Sequence, residues 1–365
     1  MSKKCFIKYD KQNKFVSTFN PENGFYLRSG IIENKKDTGV DPFMASFPEL
    51  LDVGIMGRCA NKHLCTVGCY QGKIEKENMT LDNFKNIIDQ SKKKVFSVAL
   101  GGFGSPNEHE NFEEIIEYAY ANNIIPSYTT SGIALTDKQI QATKNFCGAC
   151  AVSFYNQPYT HSSINRLLEA GVTTNIHYVL GNDSIDNAIY MLKNNQFSKT
   201  YIGLNAVIFL LYKPIGCVKN NNVLKYNDPR VKDFFALIDS GNFGHQIGLD
   251  ACCVPGLINY SNRINLDSTT PCDGASFSAY ITPDMFMLPC SFDNQKMQYA
   301  VDLNKHTIQE AWDSEPFEKF RNYHRYSCSG CEDQNNCRGG CPLVPEINLC
   351  ERDRYLFIKI IVKGI

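Results

Sequence analysis

Short apolar runs alternate with longer segments of helical spacing through the middle of the chain. The run KVFSVALGG, for example, is followed by HENFEEIIEYAYANN, in which apolar residues recur three and four positions apart. Six such steps lie between Leu51 and Asn242, each about 25–30 residues long, as in βα units. Continuous apolar runs are typical of parallel strands buried on both faces. The pattern predicts an α/β fold whose chemistry gathers at the C-terminal ends of its strands.

The two ends of the chain depart from this alternation. The first 50 residues have the pattern of β-hairpins, with Asn23–Gly24 as a turn signal. Beyond Asn242 the chain becomes rich in cysteine, glycine, proline and short strands. We therefore expect a β-rich extension over 1–50, an alternating α/β domain over 51–242, a cysteine-rich domain over 243–350 and a tail over 351–365.

The composition narrows the possible function classes. The 365 residues carry a formal net charge of -1 and no basic stripe, so we expect no nucleic-acid partner. The most apolar run, NAVIFLLYKPIG, is too short to span a bilayer, and the first residues lack the apolar core of a signal peptide. We therefore expect no membrane partner and a cytoplasmic protein, whose 16 cysteines stay reduced.

Three cysteines follow the first predicted strand of the alternation. They are Cys59, Cys65 and Cys69, within the stretch GRCANKHLCTVGCYQG. A structural zinc site uses four protein ligands. A four-iron cluster held by three thiolates instead leaves one iron open to a substrate or cofactor. These three positions by themselves leave both possibilities open.

A second group of cysteines lies near the end of the chain. The stretch CSGCEDQNNCRGGC, from Cys328 to Cys341, has the spacing C-x2-C-x5-C-x3-C, and Cys350 follows. With Cys272 and Cys290 upstream, this region resembles the SPASM domain of radical S-adenosylmethionine (radical SAM) enzymes. Met285 stands where the family has a glycine, five residues before the second upstream cysteine.

The early cysteines resemble the same family with a different spacing. Radical SAM enzymes usually show C-x3-C-x2-C, whereas this chain has C-x5-C-x3-C with Tyr70 after the third cysteine. GGFGSP, at the end of the second strand, resembles the GGE motif, whose backbone holds the methionine amino group, with Phe103 in place of the acid. The resemblance implies a partial (βα)6 TIM-like barrel followed by a small, cysteine-rich Fe–S (SPASM) domain.

The resemblance also implies three [4Fe–4S] clusters and S-adenosylmethionine (SAM) as cofactors. The SAM-binding cluster would be held by Cys59, Cys65 and Cys69. One auxiliary cluster would take four thiolates near the end of the cysteine-rich domain: Cys328, Cys331, Cys337 and Cys350. The other would take Cys272, Cys290, Cys341 and one thiolate of the DACCVPG stretch, Cys252 in preference to Cys253. Sites closed by four thiolates imply electron transfer or the tuning of a reduction potential.

Residues at strand ends are the candidates for contacts to SAM. Glycine lacks a Cβ, so the backbone of one stretch can approach the cofactor closely: Gly101, Gly102, Phe103 and Gly104. Three hydroxyls at the ends of the third and fourth strands are candidates for the ribose or carboxylate: Thr130, Ser131 and Ser153. Two apolar residues of the last strand are candidates to flank the adenine: Val207 and Phe209.

Four further residues could be structural or functional, and for two of them both interpretations stay open. His177, inside the fifth strand, either points into the barrel or is a hydrogen-bonded core histidine. Cys217 follows the last strand, where we expect a structural thiol, with a hydrogen-atom or electron donor as the alternative. Cys147 and Cys150 run into a buried strand and are expected to be packing residues.

The resemblance implies an enzyme that converts SAM to a 5′-deoxyadenosyl radical, which abstracts hydrogen from a peptide or protein substrate. An external one-electron reductant of the flavodoxin or ferredoxin type would be its redox partner. We expect RiPP-type peptide maturation, with a thioether or carbon–carbon crosslink favoured over epimerisation, and sulfatase-maturase-like oxidation as the alternative. An alternative of another class is a zinc-ribbon binding module on an inactive barrel.

Overall fold

The computed structural model describes residues 5–22, 24–61, 75–216, 220–263, 269–326, 328 and 330–350. Its strands are β1 (Phe6–Asp10), β2 (Phe15–Phe19), β3 (Tyr26–Arg28), β4 (Ile32–Glu33), β5 (Lys36–Asp37), β6 (Leu50–Met56), β7 (Ser97–Gly102), β8 (Ile125–Thr130), β9 (Ala149–Ser153), β10 (Thr174–Leu180), β11 (Ala206–Leu211), β12 (Gln246–Leu249), β13 (Ser278–Ile281), β14 (Phe286–Leu288) and β15 (Val301–Asp302). Its α-helices are α1 (Leu81–Ser91), α2 (Phe112–Ala121), α3 (Asp137–Phe146), α4 (Pro158–Glu169), α5 (Ile185–Lys193), α6 (Gln196–Thr200), α7 (Pro229–Ser240), α8 (Val254–Tyr260), α9 (Ile308–Trp312), α10 (Glu315–Tyr326) and α11 (Gln334–Cys337). None of these described helices is both long and apolar enough to cross a membrane.

Ten strands form one large sheet. Their order is β12-β11-β10-β9-β8-β7-β6-β13-β14-β15. The strands from β6 to β11 are parallel neighbours in chain order, and each is followed by a helix. Parallel neighbours need such crossover connections. The α/β fold with six strand–helix steps, which the sequence predicted, is therefore confirmed.

The helices pack against this sheet because their apolar residues form a single stripe. In α1 the buried residues include Phe84, Ile87 and Ile88, whose spacing of three and four places them on one side of the helix. Thr80 begins the helix, since its side chain accepts a hydrogen bond from the backbone N–H of Asn83 at 3.2 Å. The polar cap and the apolar stripe together fix where this helix starts and which side it buries.

Side chains of the parallel strands alternate between two environments. In β10, Ile176 and Tyr178 are buried in the main core, whereas His177 between them keeps accessible area. In β7, Val98 and Leu100 are buried in the same way, and their neighbours in the strand are more accessible. The alternation places one face of the sheet against the helices. The other face, which we call the inner face, lines an internal space.

The C-terminal region is built into the same sheet. β12 pairs in parallel with β11, although it follows the boundary predicted near Asn242, and β13 pairs in parallel with β6. One hydrophobic core includes Val53 of β6 and Trp312 of α9. The indole N–H of Trp312 also donates to Ala45 O at 3.0 Å. The cysteine-rich region is thus attached to both sides of the parallel strands.

The described residues before β6 form five short strands. β1, β2 and β3 make an antiparallel sheet, and the connection from β2 to β3 includes Gly24, whose φ of +72° lies in the region that favours glycine. Asn23, the other residue of the predicted turn, lies outside the described residues. One face of this small sheet packs Phe19 into an apolar cluster, while Ile7 and Leu27 are exposed.

Candidate functional site

The end of β6 and the GGFG stretch form one compact backbone unit. Cys59 lies three residues beyond the end of β6. A Cβ on Gly102, whose φ is +119°, would lie 2.3 Å from Met56 O, and one on Gly104 would lie 2.6 Å from Arg58 O. Both positions therefore require glycine. The stretch predicted to bind SAM thus lies directly against the loop that carries the first predicted cluster ligand.

Cys59 borders a cavity at this end of the sheet. The same cavity is lined by three carboxylates, Glu75, Glu108 and Glu110. Cys59 is predicted to share the cluster with Cys65 and Cys69, and both of these lie outside the described residues. Tyr70 and Cys217 also lie outside them. The three-thiolate site therefore stays a prediction. Its support is the position of Cys59 at the carboxyl end of the first parallel strand.

Gly101 and Phe103 have different surroundings within the GGFG stretch. Among the described residues, Gly101 has no atom beyond its chain neighbours within 4 Å of where a Cβ would lie. Phe103 is buried, and its backbone N–H donates to Met56 O at 2.8 Å. The position that carries an acid in the family therefore holds a buried apolar side chain. Phe103 stays a predicted contact through its backbone, while its side chain is buried in the protein.

Thr130 is the predicted hydroxyl contact that the structure contradicts. Its side chain is buried and donates to Asn107 Oδ1 at 2.6 Å. It also accepts a hydrogen bond from the Gly132 N–H at 2.9 Å. These bonds hold the loop after β8 in place, and they leave the hydroxyl turned away from the internal space.

The other two predicted hydroxyls keep accessible area. Ser131 shares a hydrogen bond with Ser105, with the two Oγ atoms 2.9 Å apart, and is half-buried. Ser153 lies at the end of β9, beside His177 in the register of β9 and β10. Both therefore stay predicted contacts, and Ser153 lies on the inner face.

The predicted adenine contacts lie on the wrong face of β11. Val207 and Phe209 are fully buried, and the ring of Phe209 packs against that of Phe234 with centroids 5.0 Å apart. Ile208 and Leu210 alternate with them and keep accessible area. The prediction is wrong because successive side chains of a strand point to opposite faces. Ile208 and Leu210 are the residues of β11 that border the inner face.

Two titratable side chains on the inner face were not recognised together as a site. Burial raises the pKa of Asp52 in β6 to about 6, and its carboxylate makes no hydrogen bond or ion pair with another described residue. Burial also lowers the pKa of His177 in β10 to about 4, and its Nδ1 lies 3.2 Å from Thr129 Oγ1. The enclosed inner face therefore favours the neutral form of both groups. Asp52 had one signal in the sequence, as an isolated charge in an apolar run.

Four cysteines from distant parts of the chain converge at one place, which we call the inner thiol site: Cys252, Cys272, Cys290 and Cys341. A hydrogen bond to Cys341, and then burial, raise the pKa of the Cys252 thiol well above its usual range. Burial, and then the charge of Cys252, raise the pKa of Cys272 to about 12. Burial, and then the charge of Cys272, raise the pKa of Cys290 as well. The structure thus brings together the set that the resemblance implied.

Cys253 has different surroundings from its neighbour Cys252. It is fully buried in the hydrophobic core, with Sγ 4.0 Å from Phe209 O. Burial is the largest cause of its raised pKa, followed by the charge of Asp250. This placement favours Cys252 as the fourth ligand of the inner thiol site, which stays a proposal.

A buried ion pair borders the inner thiol site. Nζ of Lys213 donates to Asp250 Oδ2 at 2.7 Å and to Leu211 O at 2.9 Å. Burial by itself would lower the pKa of Lys213, but the Asp250 carboxylate, and then the thiols of Cys252 and Cys341, raise it above its usual value. The ammonium therefore stays charged. The sequence analysis missed this pair, because its members are 37 positions apart.

Four cysteines near the end of the described residues form a second set, which we call the outer thiol site: Cys328, Cys331, Cys337 and Cys350. All four line one pocket, together with Pro255, Ile258 and Asn259 of α8. The side-chain amide of Asn259 donates to Leu349 O at 2.7 Å, which attaches the segment that carries Cys350 to this helix. The four cysteines that the resemblance grouped together thus line one pocket in the structure.

Both thiol sites have the number and kind of ligands that a [4Fe–4S] cluster takes, which is four cysteine thiolates. Among the described residues, no group of three or more His, Cys, Asp or Glu side chains is placed to hold a single metal ion. In a cluster each thiolate binds a different iron. Four thiols at each site therefore match the ligand set of one [4Fe–4S] cluster.

Comparison with known proteins agrees with these features. The family model "SPASM: Iron-sulfur cluster-binding domain" matches residues 272–337. Among curated proteins, the mycofactocin maturase MftC of Mycolicibacterium smegmatis is 28% identical over 108 residues, which cover 27% of this chain and 27% of that protein. The match to this relative thus spans about a quarter of its length.

Solved structures share the fold over most of the chain. Streptococcus suis SuiB matches with a TM-score of 0.69 and 14% identity, over 96% of this chain and 100% of that chain. The anSMEcpe protein with bound AdoMet matches with a TM-score of 0.59 and 15% identity, over 86% and 92%. At these identities the likeness establishes the fold. Together with the SPASM match, it confirms the resemblance to radical SAM enzymes with a C-terminal SPASM domain.

Proposed function

We propose that this protein is a radical SAM/SPASM enzyme that modifies a peptide or protein substrate. The observation that carries the proposal is the convergence of eight cysteines into two four-thiol sites beside a parallel barrel. The SPASM match and the shared fold support the same assignment. A maturase among the relatives, and a SuiB structure with the precursor peptide SuiA, support a peptide as the substrate class.

The residues at the ends of β6 and β7 would hold and orient the cofactors. When bound, a [4Fe–4S] cluster and SAM would supply a 5′-deoxyadenosyl radical that removes a hydrogen atom from the substrate. Cys59 would hold this cluster together with Cys65 and Cys69. Gly102 and Gly104 let the backbone after β7 lie against the Cys59 loop, so that its polar groups can bind the methionine part of SAM.

The inner face would enclose the substrate group that reacts. Asp52 and His177 are enclosed by protein, which keeps bulk water away from the reacting atoms. The contact between His177 Nδ1 and Thr129 Oγ1 fixes the orientation of the imidazole ring. Ser153 lies beside His177 and would offer a hydroxyl to the SAM ribose or carboxylate.

The inner and outer thiol sites would each hold one auxiliary [4Fe–4S] cluster. Four thiolates leave no iron open to the substrate, so these clusters would serve electron transfer. Crosslinking removes electrons from the substrate, whereas epimerisation is redox-neutral. We therefore favour a thioether or carbon–carbon crosslink of the RiPP type, in the reducing cytoplasm and with a flavodoxin- or ferredoxin-type reductant.

The N-terminal sheet offers a place for an extended peptide. In the described part of the chain, β1 and β3 each pair on one side only, with β2 between them. A peptide can add a strand to such an edge, with its backbone supplying the hydrogen bonds. Ile7 and Leu27 are exposed beside these edges and would contact apolar side chains of the peptide.

The first test measures iron and SAM cleavage. After anaerobic reconstitution we expect about twelve irons per chain, from three clusters of four. The dithionite-reduced protein should convert SAM to 5′-deoxyadenosine and methionine. Changing Cys59, Cys65 and Cys69 together to alanine should remove about a third of the iron and all of this cleavage. Full iron in that variant, or formation of S-adenosylhomocysteine, would contradict the assignment.

A second test separates crosslinking from epimerisation, with the true substrate in hand. Changing Cys328 and Cys331 to alanine should abolish crosslinked product while SAM cleavage persists, because the electron acceptor is lost. Cys217→Ala is the matched variant, because it removes the candidate hydrogen-atom donor that epimerisation would need. Full product from a folded Cys328/Cys331 variant would contradict crosslinking. A colourless protein with stoichiometric zinc would instead indicate the zinc-ribbon alternative.

A further inference from the structure

The ion pair between Lys213 and Asp250 lies where the barrel meets the inner thiol site. Lys213 follows the last residue of β11 by two positions, and Asp250 comes directly after β12. Two positions beyond Asp250 is Cys252. Phe292, whose ring centroid lies 4.6 Å from Lys213 Nζ, comes two positions after Cys290. The ammonium therefore contacts two residues that each lie two positions from a predicted cluster ligand.

The ammonium is held in one position by the backbone of β11. Nζ donates to Asp250 Oδ2 at 2.7 Å and to Leu211 O at 2.9 Å. The Leu211 N–H donates to the same Asp250 oxygen at 3.3 Å, which fixes the carboxylate as well. Two of the three N–H groups of the ammonium are thus bound by oxygen acceptors. Lys213 is 6% exposed, so water does not screen its charge.

Electrostatic coupling to the thiols agrees with this placement of Lys213. The charge of Lys213 lowers the pKa of Cys252 and of Cys290, and the charges of Cys252 and Cys341 raise the pKa of Lys213. The charge of Asp250 raises the pKa of Cys252, whereas the charge of Lys213 lowers it, and the effect of Lys213 is the larger of the two. These couplings agree with the contacts that place the ammonium between the segments that carry Cys252 and Cys290.

We infer that Lys213, held in place by Asp250, raises the reduction potential of the cluster proposed for the inner thiol site. The inference rests on the proposed function. Lys213 is a positioning residue here, since it is assigned no contact with SAM or with the substrate.

The physical reason is charge compensation. One-electron reduction adds one negative charge and no proton to a cluster held by four thiolates. A fixed cation nearby stabilises the reduced form more than the oxidised form, so the potential rises. An enclosed charge acts at full strength, because salt screens buried pairs much less than exposed ones. The inner cluster would therefore accept the electron that the substrate loses, ahead of the outer cluster.

The experiment is a potentiometric titration of the full-length reconstituted protein, followed by electron paramagnetic resonance, with dithionite as reductant and neither SAM nor peptide present. Lys213→Met removes the charge at similar length and should lower the potential of one auxiliary cluster by at least about 59 mV, a tenfold change in a one-electron equilibrium. Asp250→Asn leaves the cation unbalanced and should raise it. Lys213→Arg keeps the charge and should keep the potential. Lys305→Met, in an exposed ion pair with Asp302, is the matched control and should change nothing.

The outcomes separate this inference from the proposed function. An unchanged potential in an iron-loaded Lys213→Met variant overturns the inference. If that variant fails to assemble the inner cluster, Asp250→Asn decides: a rise supports the inference, and no change or a fall overturns it. Loss of the inner cluster from both variants would show that the ion pair is needed for cluster assembly. This result also overturns the inference. A wild-type protein that holds zinc and no iron would contradict the proposed function itself.

Discussion

The inner face of the barrel and the inner thiol site are both enclosed by protein, yet they affect charged groups in opposite ways. On the inner face burial is the largest influence, and it moves the pKa of Asp52 up to about 6 and that of His177 down to about 4. Beside the thiols, Lys213 is buried as deeply and still keeps its charge, because Asp250 lies 2.7 Å away.

The difference lies in the partners of each group. An ion taken out of water loses several kcal/mol of hydration, which a counter-ion with good hydrogen bonds can offset. Lys213 has both, from Asp250 and from Leu211 O. Asp52 has neither among the described residues. The inner face thus disfavours charge on its titratable groups, whereas the pair beside the thiols keeps a fixed cation.

The largest expected effect comes from breaking the buried ion pair. Lys213→Met alone, or Asp250→Asn alone, should each lower the free energy of unfolding by about 3–5 kcal/mol, because one buried charge is left without its partner. The double variant should cost far less than the sum. Urea unfolding of all four proteins gives the coupling energy. Additive costs would show that the two charges do not depend on each other, and the contrast with the inner face would disappear.

The next effect concerns His177 under acid conditions. Its folded-state pKa is about 4, below the usual 6.5, so its stabilisation is complete above pH 6.5 and is lost as the pH falls through 4. One pKa unit corresponds to about 1.4 kcal/mol, so this loss amounts to about 3 kcal/mol. His177→Asn cannot take up the proton and should show a shallower fall in stability from pH 6.5 to 4. Parallel curves for both proteins would contradict the buried neutral imidazole.

Asp52 should show a comparable effect in the opposite direction. Its folded-state pKa is raised, so the stabilisation is fully present below about pH 4 and is lost as the pH rises through about 6. Asp52→Asn mimics the neutral acid and should be more stable than the wild type at pH 7 by up to about 3 kcal/mol, with no difference at pH 4. Thermal unfolding at the two pH values measures this. A less stable variant at pH 7 would indicate that the ionised carboxylate has a partner.

The smallest expected effect tests a neutral contact on the inner face. Ser153→Ala should weaken SAM binding about fivefold, since it removes one hydrogen bond worth about 1 kcal/mol. Thr130→Val is the matched variant, because its hydroxyl is bonded to Asn107 and should contribute to stability but not to SAM binding. Isothermal titration of the reconstituted proteins with SAM compares them. Equal binding by the Ser153 variant and the wild type would remove Ser153 from the site.

Local patterns in the sequence were sufficient for the α/β alternation, and the family resemblance supplied the outer thiol set. The alternation of apolar runs and helical segments corresponds to β6–β11 with their helices. The resemblance carried by the cysteine spacing implied that Cys328, Cys331, Cys337 and Cys350 form one set, and these thiols line one pocket. Both features depend on residues close together in the sequence, where spacing translates directly into geometry.

Features that depend on distant residues or on strand orientation could not be predicted in this way. Val207 and Phe209 were assigned to the wrong face because both faces of β11 are apolar, so the sequence does not show which face the helices cover. Lys213 and Asp250 meet only because β11 and β12 are neighbours in the sheet. The inner thiol site was inferred from the family resemblance, since its cysteines come from separate segments.

The large sheet ends on short strands at both margins, four residues in β12 and two in β15. β12 ends three residues before Cys252, and β14, the neighbour of β15, ends two residues before Cys290. The ligands proposed for one cluster therefore also anchor the margins of the sheet. Loading of the proposed cluster would then also stabilise the two margins of the sheet, whose outer edges carry unpaired backbone groups.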